Sequence, residues 1–295
     1  MRVSWILLIA AGMLLAITVG CSDSDDYCGY DPGWPQTPDL VDGWPKWSSA
    51  DTAKIAYAHY SVTTEEYERY GHVTVWVVDV ITGEMQFVTR GAPADWTRDG
   101  RSILFYRNGQ LFLIDISTRQ ESRVTDDRWP VLMADFSPCG NKIAYVVDEA
   151  AHRGIWILDL ATSTSEWIYS GYGPDWHPDG TKIVCDSLVV ISQHGERLYK
   201  FPYTPDFGYP GHARWSPDGE RIAFRAKGAI WLMDADGNNL RELDAEGNPS
   251  WSPGGTWLAY DAVSADGEYT AIWIIDAGSC VARQVTFADA YPDSW

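Results

Sequence analysis

Positive charge is scarce in this chain: 22 Lys and Arg face 41 Asp and Glu, a formal net charge of -19 over 295 residues. That balance argues against binding modes that neutralise nucleic-acid phosphates or anionic lipid headgroups. Cysteine is also rare, with 5 residues and no CxxC or Cys/His metal spacing, which argues against a zinc or thiol-catalytic centre. There is no Gly-x-Ser-x-Gly elbow, no phosphate-binding glycine loop and no HExxH motif, so hydrolase, nucleotide and zincin readings have nothing to rest on. The one long apolar run, Ile6–Ala16, is too short to favour a spanning helix. Aromatics, in contrast, are plentiful: 16 Trp and 16 Tyr in a chain that is 45% hydrophobic, ample for a core and against disorder.

The amino terminus reads as an address. Arg2, the apolar run and the small residues before Cys21 make a secretory signal over residues 1–20. Val19-Gly20-Cys21 resembles the lipobox of bacterial lipoproteins, in which the cysteine is diacylated and becomes the new amino terminus. The resemblance implies lipidation at Cys21 and a cell-envelope location, outer membrane, periplasmic or surface-exposed, with Ser22 lacking the acidic inner-membrane retention signal. Residues 21–43, with Asp23, Asp25, Asp26, Pro32, Pro35 and Pro38, read as an acidic, proline-stiffened tether. An envelope location permits disulfides among Cys28, Cys139, Cys185 and Cys280, whose three possible pairings the sequence leaves open.

The tryptophans are periodic. Trp47-Ser-Ser-Ala-Asp, Trp96-Thr-Arg-Asp-Gly, Phe136-Ser-Pro-Cys-Gly, Trp176-His-Pro-Asp-Gly, Trp215-Ser-Pro-Asp-Gly and Trp251-Ser-Pro-Gly-Gly recur at intervals of 49, 40, 40, 39 and 36 residues. Periods near forty residues mark a propeller or another repeat array. Each repeat reads as four short strands. The first ends at the aromatic, and a Pro/Gly turn leads to a second strand that begins at Ile55, Ile103, Ile143, Ile183, Ile222 or Leu258. The third is an apolar run closed by aspartate: Val75–Asp79, Leu111–Asp115, Ile155–Asp159, Ile230–Asp234 and Ile272–Asp276. Four apolar residues in a row bury both faces of a strand, and the aspartate is expected to order the turn that follows.

These motifs are similar to the WD40-like propeller repeat of the TolB family over residues 44–295. The resemblance implies an all-β, six-bladed β-propeller of four-stranded antiparallel blades, closed by a carboxy-terminal strand at 289–295 that copies the start of a first strand (Tyr291-Pro-Asp-Ser-Trp295). The best-known member carries an α/β domain before its propeller, and the prolyl-oligopeptidase relatives carry a hydrolase domain; neither is expected here.

Two candidate sites follow. Strand alternation places the second-to-third and fourth-to-first loops on one face, where the insertions 59–72 and 201–212 fall. They bring Tyr60, Tyr67, Tyr70, Tyr203, Phe207, Tyr209 and His212 together, aromatic anchors suited to an envelope protein or peptide. Asp95, Asp135 and Asp175 precede the aromatic of three consecutive first strands, while Lys46, Arg214 and Ser250 hold that place in the others. The aspartates either hold a hard cation through oxygen ligands or bond backbone N–H groups and Arg214; bare spacing favours the second. The related oligogalacturonate lyases use clustered histidines around a metal, and no such cluster is visible. The expected protein is a non-enzymatic lipoprotein platform that needs no cofactor and binds no nucleic acid; the alternative is a carbohydrate-binding or lyase-like propeller.

Overall fold

The computed structural model describes residues 40–50, 53–61, 73–125, 129–202, 208–288 and 291. The signal segment, Cys21 and most of the tether lie outside them, as do Tyr67, Tyr70, Tyr203 and Phe207.

The chain is a β-propeller of antiparallel four-stranded meanders. The first comprises β1 (Leu40–Trp47), β2 (Lys54–Ser61), β3 (Thr74–Asp79) and β4 (Met85–Arg90). Next come β5 (Ala92–Trp96), β6 (Ser102–Arg107), β7 (Gln110–Asp115) and β8 (Glu121–Arg123), then β9 (Val131–Phe136), β10 (Lys142–Val147), β11 (Gly154–Asp159) and β12 (Thr164–Tyr169). They are followed by β13 (Asp175–Trp176), β14 (Lys182–Cys185), β15 (Val189–Ser192) and β16 (Arg197–Lys200), and by β17 (Gly211–Trp215), β18 (Arg221–Ala226), β19 (Ala229–Asp234) and β20 (Arg241–Glu246). The last is β21 (Ser250–Trp251), β22 (Trp257–Val263), β23 (Thr270–Asp276) and β24 (Ala282–Gln284).

Six separate sheets are expected from the repeats; the structure has four separate four-stranded blades and one eight-stranded sheet. The first and last meanders join in that sheet because β1 starts at Leu40, inside the segment read as tether, and its early end pairs in parallel with β23 at Val41–Thr270.

The repeat motif is explained by its turns. In four copies the Ser or Thr after the aromatic accepts the amide five residues on: Ser102 to Thr97, Lys142 to Ser137, Arg221 to Ser216 and Trp257 to Ser252, at 2.9–3.0 Å. The turn glycines 100, 140, 180, 219 and 255 all have φ between +66° and +74°, a left-handed backbone that side chains resist. The aspartates closing the third strands order the next turn, as expected: Asp79, Asp115, Asp159 and Asp276 each accept two backbone amides at 2.7–3.1 Å. Asp234 differs, accepting from the Asn239 side chain.

The core lies between sheets. At each seam the apolar second and third strands of one meander pack on the first and second of the next; Val75 and Val77 meet Trp96, Ile103 and Phe105 in this way. The seam between the last and first meanders is built likewise, from Ile272, Ile274, Val285, Trp47, Ile55 and Trp76. Each fully buried Ile or Leu at such a seam stabilises by roughly 1.5–3 kcal/mol. The inner strands neighbour one another in order, β1 by β5, β5 by β9, β9 by β13, β13 by β17, β17 by β21, and β21 by β1.

Candidate functional site

The residue before each repeat aromatic sits on an inner strand, and there it ties neighbouring meanders together. The Phe136 amide donates to Asp95 Oδ2 at 2.9 Å, the Trp176 amide to Asp135 Oδ2 at 2.8 Å, and the Trp215 amide to Asp175 Oδ2 at 2.7 Å. Ser250 does the same across the last seam, its Oγ accepting from the Trp47 amide at 2.9 Å. Where the position is cationic the bond changes partner: the Trp96 and Trp251 indoles donate to the main-chain oxygens of Lys46 and Arg214 at 2.9 and 3.1 Å. A second layer lies nearer the loop-rich face. Tyr106 accepts the Ala134 amide, and Asp186 accepts the His212 amide at 2.8 Å.

This wall concentrates charge. Burial, with Asp175 and Asp95 alongside, pushes the Asp135 carboxyl well above the usual range, and Asp135 hydrogen-bonds Asp95. Burial lifts Asp175 to about 6 despite Arg214, whose Nε lies 3.7 Å from its carboxylate. Burial and Arg214 lower Lys46 to about 8 against the pull of Asp95, Asp135 and Asp175. His212 is driven down to about 3 by burial and then by Arg214, Arg225 and Lys46, so it is neutral at physiological pH. The three aspartates thus do bond backbone amides, with two cations among them; among the described residues no three His, Cys, Asp or Glu side chains are grouped as a metal requires.

On the loop-rich face Tyr209 is 65% exposed, Tyr60 is half-buried on β2 opposite Val41, and His212 is half-buried on β17 beside the cations. Beyond the expected residues, that face carries a second aromatic group. Trp129 stacks on His152 at 3.8 Å, Trp156 lies 6.2 Å from Trp129, and Trp167, 46% exposed, donates its indole N–H to Arg153 O. At the first meander His59 Nδ1 meets Asp42 at 2.7 Å, and Tyr291 donates to Asp42 at 2.6 Å while stacking on the His59 ring at 4.1 Å.

Sequence reasoning passed over Asp186, Arg225 and Asp261. All three occupy one repeat position, three residues after Ile183, Ile222 and Leu258, where Tyr106 follows Ile103. Aligning the repeats on one another exposes charge in an otherwise apolar strand at that point.

No family model matches the sequence, and no curated protein matches it. Solved structures do. The putative TolB from Agrobacterium tumefaciens is 18% identical over 72% of this chain and 88% of its own, with a TM-score of 0.59. The fold is TolB-like. It is equally propeller-like in a wider sense, since the β-propeller domain of the Trilobed protease from Pyrococcus furiosus aligns over 87% of this chain and 98% of its own at 12% identity and TM-score 0.57. An oligogalacturonate lyase in complex with manganese aligns over 85% of this chain and 80% of its own at 15% identity and TM-score 0.54. Differently named propellers, a lyase and the propeller of a protease among them, therefore share this architecture, and at such identities the likeness speaks to the fold alone.

Proposed function

We propose that this TolB-like chain is a non-enzymatic envelope lipoprotein, anchored through Cys21, whose propeller is a closed ring of six blades that binds a protein or peptide on its loop-rich face. Six blades are supported by the cyclic order of the inner strands, by the Trp47–Ser250 bond across the last seam and by a core at that seam. Tyr291, bonded to Asp42, supports closure by the carboxy-terminal segment.

The platform reading rests on one observation: large aromatics are left open to solvent on this face, Tyr209 at 65% and Trp167 at 46%, and Tyr209 belongs to the same insertion, 201–212, as Tyr203 and Phe207. Rigid aromatic anchors of this kind dominate binding interfaces. The net charge of -19 favours a partner with a basic patch.

Affinity capture from native envelopes, with and without chelator, tests this. One dominant protein is expected in both conditions, and replacing Tyr67 and Tyr209 by Ala should abolish its capture without unfolding the domain. Undiminished capture by that double variant would refute the face. The carbohydrate reading is favoured by the stacked Trp129–His152 pair and predicts instead a glycan recovered only with metal present.

A further inference from the structure

The turn face, opposite the insertions, carries an open cavity of about 280 Å³ lined by Thr97, Arg98, Asp99, Ser102, Phe136 and Gly140. It lies between the turn after β5 and the turn after β9, at the seam of the second and third meanders. The repeats explain why space remains there. In two other seams the residue that opens a second strand covers the aromatic of the following meander. Lys182 sets its Nζ 5.8 Å from the Trp215 ring centre, and the Arg221 guanidinium lies 4.8 Å from that of Trp251 while donating to Gly255 O at 2.7 Å. At the last seam the residue in this place is Trp257, packed on the cluster that holds Trp47. Lys54 and Lys142 hold it in two further repeats. Ser102 alone of the six is small, and Phe136, across from it, is the one repeat aromatic that is not Trp. Both walls of this seam are cut back at once, and the filler that the other repeats carry is missing.

The rim decides what fits. Four repeats place a proline two residues after the aromatic; here that residue is Arg98, whose Nη1 donates across the seam to Pro138 O at 3.1 Å. A guanidinium is therefore held at the edge of the cavity. The acid beside it is engaged within its own turn: Asp99 Oδ1 accepts the Thr97 hydroxyl at 2.7 Å and the Arg101 amide at 3.1 Å, and Oδ2 has Arg101 Nε at 3.9 Å. A cation of the Lys182 or Arg221 kind would meet the like charge of Arg98. An aromatic ring meets no such repulsion. It can stack on Phe136, and the negative face of its π-system attracts the guanidinium. Trp257 is the precedent within this chain for an indole at that repeat position.

We propose that this slot receives an aromatic side chain of a protein or peptide partner, its ring stacked on Phe136 and capped by Arg98. The inference goes beyond the loop-rich platform, because it gives the turn face a binding site of its own. A ring seated there completes the seam as the cations and the indole of the other repeats do, and a rigid aromatic loses little conformational freedom on entering a slot.

The test is amide-shift NMR of the isotope-labelled full chain titrated with N-acetyltryptophanamide, N-acetyl-leucinamide and N-acetylargininamide. The tryptophan derivative is expected to move the amides of Ser102, Phe136 and Gly140, and the other two to bind at least tenfold more weakly. Ser102→Trp copies Trp257 into the slot and should abolish the shifts with a melting temperature near wild type. Phe136→Trp, the residue of the other five copies, fills the slot from the opposite wall and serves should Ser102→Trp fold poorly. Arg98→Pro, the residue of four other copies, should weaken binding at least threefold through loss of the cation over the ring. No shift at these amides, equal binding of the leucine derivative, tighter binding of the arginine derivative, indifference to Arg98→Pro, or binding that survives both filling variants would overturn the proposal. Tyr209→Ala should leave the shifts unchanged, so the two faces stand or fall separately.

Discussion

Replacing Asp135 separates hydrogen bonding from charge on the inner wall. Burial beside Asp175 and Asp95 pushes this carboxyl well above the usual range, and in its protonated form it accepts the Trp176 amide and donates to Asp95. Asn offers the same two functions in nearly the same shape. Asp135→Asn should therefore match wild type near the unfolded pKa of 3.8 and become the more stable of the two as pH rises, whereas Asp135→Ala leaves a buried amide without an acceptor, at a cost of roughly 1–3 kcal/mol. For a domain of this size each kcal/mol moves the melting temperature by about 2–4 °C, so the Ala variant should melt several degrees lower. The sign with pH is fixed as well. A carboxyl whose folded pKa is raised binds more protons folded than unfolded, so its contribution is present at low pH and fades as pH rises above the unfolded value near 3.8 toward the folded one. Asp135→Asn has no such term and should gain on wild type as pH rises above 3.8 in urea unfolding. Equal losses for Asn and Ala at pH 7, or parallel pH curves for wild type and Asn, would refute the argument.

Two further outcomes are expected. Gly91 has φ +127° and its missing Cβ would overlap the Tyr106 carbonyl oxygen, so Gly91→Ala should destabilise by more than about 2 kcal/mol in denaturant unfolding; an effect under 0.5 kcal/mol would contradict that close approach. His212 and Asp175 should pull stability in opposite directions with acid. His212, held at about 3 against 6.5 unfolded, loses on the order of 5 kcal/mol as pH falls from 6.5 toward 3, while Asp175, raised to about 6, regains about 3 kcal/mol as pH falls from 6 toward 4. His212→Asn should then flatten the acid limb and Asp175→Asn steepen it in urea midpoints at pH 7, 5.5 and 4.5, and unchanged limbs in both variants would contradict the assignments.

The repeats were legible because their signals are local. Pro and Gly set the turn after each aromatic, Ser or Thr caps the amide five residues on, and a run such as Ile272–Ile275 declares a strand buried on both faces. The acidic trio before Trp96, Trp176 and Phe136 was also visible, along with the alternative that its members bond backbone amides. Arg225, Asn248 and Asp261 were not, because each is a single polar residue in or beside an apolar strand and has no local pattern. The merger of the first and last meanders escaped for a similar reason: it depends on Leu40–Gly43 pairing beyond the repeat, in a stretch whose composition reads as tether.

By itself, then, the sequence determined the kind of strand, the order of strands within each meander, and the period that makes a propeller. These depend on turn geometry and side-chain alternation within some forty residues. Tertiary structure alone decided which charges meet. Lys46 lies on β1 and Arg214 on β17, and only the return of β21 to β1 brings these strands into one ring. Burial and neighbours more than two hundred residues away set such pairings, as with Ser250 beside Trp47, 203 positions apart, and Tyr291 beside Asp42, 249 apart. No local periodicity encodes such neighbours.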